Sequence, residues 1–180
     1  MTQVFVAGTW SDTKAEPFAA VAHRVGRLLA EAGVDLACGP GTGIAGHVVA
    51  GYRSVAGRAG KVRYYLPTET AMRAAGEEVR PGADEIEQTD LDYPMRNVYQ
   101  VSRSQGLVVL GGGDGTLEEI ITAIVDYHLP VAVLQGSGKA PDALERLLDV
   151  FPDWRDGVLF GDDPDKLVGF VMGRMHKAAG

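Results

Sequence analysis

Residues 107–120 read Leu-Val-Val-Leu-Gly-Gly-Gly-Asp-Gly-Thr-Leu-Glu-Glu-Ile. The four apolar residues predict a short buried strand, and the segment after the glycines predicts a helix. Glycines let a backbone approach a ligand closely, and their free amides beside a helix N-terminus form a nest for an anion. A tight turn without a ligand is the alternative, although one glycine would suffice for it. The residues expected to hold a phosphate are Gly112, Gly113, Asp114, Gly115 and Thr116. Thr116 can either cap the helix or donate its hydroxyl to the phosphate.

Short apolar runs alternate with amphipathic segments on both sides of this stretch. Strands are expected at residues 3–7, 34–38, 61–66, 107–110, 130–134 and 158–159. Helices are expected at residues 17–33, 44–59, from 95 onward, 117–127, 140–150 and 165–177. This alternation indicates right-handed crossovers and a parallel sheet covered on both faces. We therefore predict a single-domain, Rossmann-like α/β fold over residues 1–180.

Residues 68–94 do not follow this alternation. They hold eight acidic residues and few apolar ones. Only residues 84–89 have the character of a short strand. We expect this segment to form an extended excursion over one face of the sheet.

Composition excludes several classes of protein. The 180 residues carry a formal net charge of −7, which argues against a nucleic-acid backbone as partner. Cys38 is the only cysteine, so a disulfide scaffold is excluded. No apolar run approaches the ~18 residues of a membrane span, and the first residues lack the pattern of a signal peptide. We expect a cytoplasmic protein that contacts no membrane.

A second glycine loop contains the pattern GxGxxG at residues 41–46. A dinucleotide site would need an acidic residue about 20 positions further on, and residues 63–65 are Arg-Tyr-Tyr. The loop also follows the second strand instead of the first. We therefore expect no nicotinamide cofactor, and expect this loop to be another wall of the same pocket. The further residues assigned to the pocket are Gly8, Thr9, Gly41, Gly43 and Asn97.

Other cofactors and metals find no support in the sequence. Neither glycine loop is followed by the GK[ST] of a P-loop. No set of His, Cys or carboxylate residues has the spacing of a metal site. No metal and no cofactor are predicted.

The stretch PMRNVYQVSRSQGLVVLGGGDGTLEEI, residues 94–120, resembles the Lonely Guy (LOG) family, whose members were long mislabelled lysine decarboxylases. The family's mark is an arginine on one helix, then a strand, then PGGxGTxxE. Arg96 stands at the spacing of that arginine, residues 112–116 match GGxGT, and Glu119 matches the closing glutamate. The resemblance covers about residues 3–135, with Gly8 and Thr9 similar to the family's first turn.

Three positions depart from the family pattern. Gly111 replaces its proline, Asn97 replaces the lysine that usually follows the arginine, and Asp114 stands where plant-type enzymes often have tyrosine. An arginine–asparagine pair followed by three glycines is more similar to a related branch that includes molybdenum-cofactor carrier proteins. These departures bear on base specificity and on catalysis itself.

The resemblance implies an enzyme, a nucleoside 5′-monophosphate phosphoribohydrolase that releases free base and ribose 5-phosphate. This N-glycosidic cleavage passes through an oxocarbenium-like state, as glycoside hydrolysis does. Glu119 would stabilise the ribosyl cation or orient water, and Arg96 would hold phosphate or assist the departing base. Glu119 could instead compensate a helix dipole, and Arg96 could lie on a solvated helix face.

A non-catalytic carrier of a phosphorylated, pterin-type cofactor such as molybdenum cofactor is the alternative function. The old decarboxylase label is rejected, because a pyridoxal enzyme needs a Schiff-base lysine and neither glycine loop contains one. The resemblance also implies a homodimer or a larger even-numbered assembly.

Overall fold

The computed structural model describes residues 2–178, and within them seven strands form one sheet. The strands are β1 (Gln3–Gly8), β2 (Asp35–Cys38), β3 (Val62–Leu66), β4 (Glu85–Gln88), β5 (Gly106–Leu110), β6 (Val131–Leu134) and β7 (Val158–Gly161). Every neighbouring pair is parallel, in the order β4-β3-β2-β1-β5-β6-β7. The predicted Rossmann-like α/β fold with a parallel sheet is confirmed.

Eight α-helices lie in the described residues. They are α1 (Asp12–Ala15), α2 (Ala19–Glu31), α3 (Ile44–Arg53), α4 (Glu69–Ala75), α5 (Tyr93–Ser102), α6 (Asp114–Ile121), α7 (Lys139–Val150) and α8 (Pro164–Ala178). A π-helical turn at Thr122–Asp126 continues α6. None of the described helices is long and apolar enough to cross a membrane.

Two hydrophobic layers cover the sheet. Because successive residues of a strand point to opposite faces, Val4 and Val6 of β1 pack with α2, α3 and α8. Phe5 and Ala7 of the same strand pack with α5, α6 and α7. Helices therefore lie on both faces, as predicted.

Strand order reverses between β1 and β5, since β2–β4 lie to one side and β6–β7 to the other. Ligands of open parallel sheets bind at such a switch point, beyond the carboxyl ends of the strands. β1 ends at Gly8 and β5 ends at Leu110, directly before the glycines. The topology therefore brings the two turns of interest together.

The segment at residues 68–94 is more regular than predicted. It contains α4 and then β4, which pairs with β3 at one edge of the sheet. β4 lies within the short strand expected at residues 84–89, and its exposed Ile86 with charged or polar neighbours suits an edge strand.

Two helix boundaries also differ from the prediction. α6 begins at Asp114 and not at 117, because Gly113 already occupies its N-cap position. α3 ends at Arg53, six residues before the predicted end. In the first case the glycine loop is shorter than expected, and its amides belong to the first turn of the helix.

Candidate functional site

A cavity of about 890 Å³ opens at the switch point. Most of the predicted site residues line it, namely Gly8, Thr9, Arg96, Asn97, Gly112, Gly113, Asp114, Gly115, Thr116 and Glu119. Two do not: Gly41 and Gly43 are absent from the described residues that line this cavity. The carboxyl ends of β1 and β5 thus gather residues from three separate stretches of the sequence.

The loop at residues 111–116 has the geometry of an anion nest. Gly111 and Gly112 have φ values of 83° and 102°, which side chains rarely tolerate. A Cβ on Gly112 would lie 2.2 Å from the Oγ1 atom of Thr116, so this hydroxyl rests directly on the loop. The first amides of α6 have no partner within the helix. They remain available to a bound anion.

Thr116 does not cap α6, although its position near the helix start suggested that it could. Gly113 is the N-cap residue, and no side chain caps the helix there. Thr116 is buried and lines the cavity. Its second predicted role, donating a hydroxyl to phosphate, is compatible with this position.

Gly41 and Gly43 shape the neighbouring loop. Gly43 has φ 55°, and a Cβ there would lie 2.1 Å from the carbonyl oxygen of Thr9. That oxygen accepts a hydrogen bond from Ile44 N at 3.0 Å. A Cβ on Gly41 would approach the hydroxyl of Tyr64 to 2.8 Å. Both glycines permit close packing behind the cavity wall.

α5 presents a polar stripe to the cavity. Tyr93, Arg96, Asn97 and Gln100 all line it, and their spacing of three and four residues places them on one helix face. Asn97 Nδ2 donates to Glu118 Oε2 at 3.1 Å. The predicted pocket residue Asn97 is therefore tethered to the first turns of α6.

Arg96 is a buried cation that lacks a carboxylate partner. Its side chain is 6% exposed, and within residues 2–178 no carboxylate lies within ion-pair distance. Nη1 donates to Gln100 Oε1 at 2.9 Å, and the guanidinium lies 5.2 Å from the centre of the Tyr93 ring. Its Nε is buried with no hydrogen-bond partner in the described chain. Burying an unpaired charge is costly, so this geometry favours an anionic ligand group.

Glu119 lies at the other end of a short hydrogen-bonded array. Its carboxyl is 8% exposed, and Oε1 accepts from Gln100 Nε2 at 2.7 Å. Burial raises the pKa of Glu119 to about 7, against the opposing effects of Arg96 and of the Gln100 hydrogen bond. Perturbed carboxyl groups in a cleft are typical of functional sites.

Gln100 joins Arg96 to Glu119, and the sequence analysis missed it. Its carbonyl accepts from the guanidinium while its amide donates to the carboxylate. The side chain is fully buried. A polar residue four positions after Arg96, on the same face of an amphipathic helix, was the signal that could have identified it.

The far wall contains further residues that sequence analysis missed. Trp10 follows β1, and Glu77 follows α4; both line the cavity. Glu77 accepts hydrogen bonds from Thr42 Oγ1 at 3.4 Å and from the Tyr93 hydroxyl. Burial and the neighbouring Glu77 carboxylate raise the pKa of Tyr93. No local pattern marks Glu77, because it reaches the cavity only through the turn after α4.

A resident metal finds no donor set in the described part of the chain, where no group of three or more His, Cys, Asp or Glu side chains converges. The residues that line the cavity instead supply backbone amides, three basic side chains (Arg96, Lys14 and Lys139), hydroxyls, side-chain amides and carboxyls. Such a donor set suits an organic ligand that carries a phosphate.

Solved structures with this fold include three that match over nearly the whole chain. The molybdenum cofactor binding protein from Rippkaea orientalis is 20% identical, with a TM-score of 0.72 over 97% of this chain and 96% of its own. The molybdenum cofactor carrier protein from Chlamydomonas reinhardtii is 19% identical, with a TM-score of 0.72 over 98% of both chains. The protein TM1055 is 24% identical, with a TM-score of 0.75 over 98% of this chain and 99% of its own.

No curated protein matches the sequence. A family model does match, over residues 1–162, and its description is the SLOG cluster4 family, a LOG-like family. This agrees with the resemblance carried by Arg96, by residues 112–116 and by Glu119. The chain belongs to the SLOG cluster4 family.

Proposed function

We propose that this protein binds a small phosphorylated ligand in the cavity and carries it without chemical change. The observation that carries the proposal is the meeting of an anion nest at residues 112–116 with the buried, unpaired guanidinium of Arg96. Both features leave N–H groups without hydrogen-bond acceptors, and a phosphate would supply those acceptors. A phosphorylated pterin-type cofactor is the ligand class suggested by the two molybdenum-cofactor proteins of similar fold.

Carriage is preferred to hydrolysis because two molybdenum-cofactor proteins of similar fold match over nearly the whole chain, and the state of Glu119 is compatible with it. With a pKa of about 7, a substantial fraction of this carboxyl is neutral at physiological pH. A neutral carboxyl does not stabilise a ribosyl cation by charge. One of its oxygens is also occupied by the amide of Gln100. The carrier function, first set out as the alternative, therefore becomes the leading proposal.

Hydrolysis of a nucleoside 5′-monophosphate is the second candidate. The array of Arg96, Gln100 and Glu119 supports it, because a carboxyl with a pKa near the working pH is suited to general acid or base catalysis. In this function Glu119 orients water or protonates the leaving base. The LOG-like family assignment is compatible with either function.

One experiment separates the two candidates. Purified protein is incubated with a panel of nucleoside 5′-monophosphates and, separately, with dihydroneopterin monophosphate, while calorimetry measures binding and chromatography measures released base. Carriage predicts stoichiometric binding and recovery of unchanged ligand. Catalytic release of base, abolished by Glu119→Gln, would replace the carrier proposal with the enzyme.

We also propose that the protein forms a homodimer or a larger even-numbered assembly. Three apolar side chains of α5 and of the turn after α6 are exposed, namely Met95, Val125 and Tyr127. Exposed apolar groups on neighbouring helices are compatible with an interface. Light scattering at micromolar concentration tests this, and a particle of 19.1 kDa would refute it.

A further inference from the structure

Two side chains of the cavity have no part in holding a phosphate. They are Trp10 and Glu77, which reach the cavity from the β1–α1 loop and from the turn after α4. The nest follows β5, whereas α4 follows β3, and three strand spacings of about 4.8 Å separate those strands in the sheet. The cavity is therefore long enough for a second recognition site beside the phosphate site.

Trp10 offers a flat apolar surface on a fixed loop. Its side chain is 63% exposed although it lines the cavity. The preceding residue is anchored, because Thr9 O accepts from Ile44 N. Gly43 lies so close that a Cβ on it would come within 2.8 Å of the Trp10 Cα. An indole held in this way can stack on a planar heterocycle.

The carboxylate of Glu77 can accept further hydrogen bonds. Two hydroxyls donate to it, one to each oxygen, and no cation pairs with it in the described residues. Since each carboxylate oxygen accepts two hydrogen bonds, one site remains on each. Two free acceptors side by side match a ligand edge that presents two neighbouring N–H groups.

The structure holds Trp10 and Glu77 on the same flank. Arg80, three residues after Glu77, donates to both oxygens of Asp12 at 3.0 and 2.6 Å. Asp12 is two residues after Trp10 and also accepts from Gly43 N at 2.8 Å. These bonds tie the turn after α4 to the loop that carries the indole.

We propose that Trp10 and Glu77 form a ring subsite that selects a 2-amino-4-oxopyrimidine edge, the edge shared by guanine and pterin. Its ring N–H and exocyclic amine are adjacent donors, so both can bond to Glu77 while the ring stacks on Trp10. In adenine and cytosine the exocyclic amine lies next to a ring nitrogen that accepts hydrogen bonds. Uracil and hypoxanthine have a ring N–H but no neighbouring amine. This inference rests on the proposed function, since the phosphate must occupy the nest.

GMP and IMP provide the test, because they differ only in the exocyclic 2-amino group. We expect the wild-type protein to bind GMP about ten- to a hundredfold more tightly than IMP, in the range typical of a bidentate base contact. In Glu77→Gln this preference falls below about threefold. Glu78→Gln makes the same charge change at an exposed neighbour outside the cavity, and it should keep the preference.

Stacking on Trp10 is measured by fluorescence in a Trp154→Phe background, where Trp10 is the remaining tryptophan. Trp154 stacks on Phe151 away from the cavity lining, and phenylalanine preserves that contact. GMP and dihydroneopterin monophosphate should both quench Trp10. Quenching by neither would refute stacking on Trp10, and quenching by only one would refute selection of the edge that the two rings share.

Ribose 5-phosphate, which has no ring, reports on phosphate binding alone. The ring subsite is refuted if GMP and IMP bind equally and Glu77→Gln changes neither affinity. If ribose 5-phosphate still binds in that case, the proposed function stands. If neither ribose 5-phosphate nor any ring-containing phosphate binds, the proposed function is refuted and the ring subsite falls with it.

Discussion

Replacing Glu119 with glutamine should stabilise the protein relative to the wild type at alkaline pH, but should change its stability little at acidic pH. The buried carboxyl has a pKa raised from 4.5 to about 7, with burial as its main cause. A group whose folded pKa is raised contributes its full stability below the unfolded value, near pH 4.5. That contribution is lost as the pH rises through about 7.

The size of the effect follows from the shift. At about 1.4 kcal/mol per pKa unit, a rise from 4.5 to about 7 corresponds to about 3 kcal/mol of unfolding free energy. Glutamine has a similar shape, accepts the same bond from Gln100 and never ionises. The two proteins should therefore differ little near pH 4.5. By pH 8 the variant should be more stable by about 3 kcal/mol, which is ~6–12 °C in melting temperature for a chain of this length.

Thermal melts followed by circular dichroism at several pH values between 4.5 and 8 measure this difference. Glu145→Gln is the control, because it removes the same charge at an exposed position on α7 that does not contribute to the pKa shift of Glu119. Its difference from the wild type should stay constant from pH 6 to pH 8. A Glu119→Gln difference that also stays constant across this range would show that the buried carboxyl is ionised throughout, and would refute the raised pKa assigned to Glu119.

Four further substitutions test the rest of the site. Gly112→Ala should lower the melting temperature by ~4–12 °C, because φ is 102° and the new Cβ would strike Thr116. Gly113→Ala should fold normally, since its Cβ meets no protein atom within 4 Å. The same methyl group should crowd the nest and weaken GMP binding at least tenfold. Normal GMP affinity in Gly113→Ala would show that the phosphate does not bind at this loop. Gln100→Met should cost ~2–4 kcal/mol in urea denaturation by leaving two buried groups unpaired. Arg96→Met should weaken GMP binding at least tenfold in calorimetry, and unchanged affinity would contradict the role given to its free Nε.

The sequence predicted those parts of the site that are local in the chain. A buried strand, a run of glycines and a helix follow each other without interruption at residues 107–120, so their geometry depends mainly on neighbouring residues. Arg96 and Glu119 were found because their spacing to this loop resembles a known family. The spacing carries no contact information, and the structure shows that the two side chains meet only through Gln100.

The remaining parts depend on contacts between distant stretches. Glu77 lies in the turn after α4, and its cavity position involves contacts with Thr42 and Tyr93, which come from two distant stretches of the chain. Gly41 and Gly43 were assigned to the pocket from a motif, although their missing side chains serve contacts behind the wall. A glycine in a sequence indicates that another group approaches the backbone closely, but the sequence does not show whether that group belongs to a ligand or to the protein.

The contacts along α5 give the cavity a direction. Glu119, Gln100 and Arg96 are hydrogen-bonded in sequence, Arg96 lies over the ring of Tyr93, and the Tyr93 hydroxyl donates to Glu77. With the charge of Glu119 reduced near pH 7 by its raised pKa, this line carries a cation at its middle and a full anion at the end remote from the nest. A ligand with a phosphate and an N–H edge is complementary to that order in one orientation only. Reversing it would place phosphate against Glu77, which like-charge repulsion opposes.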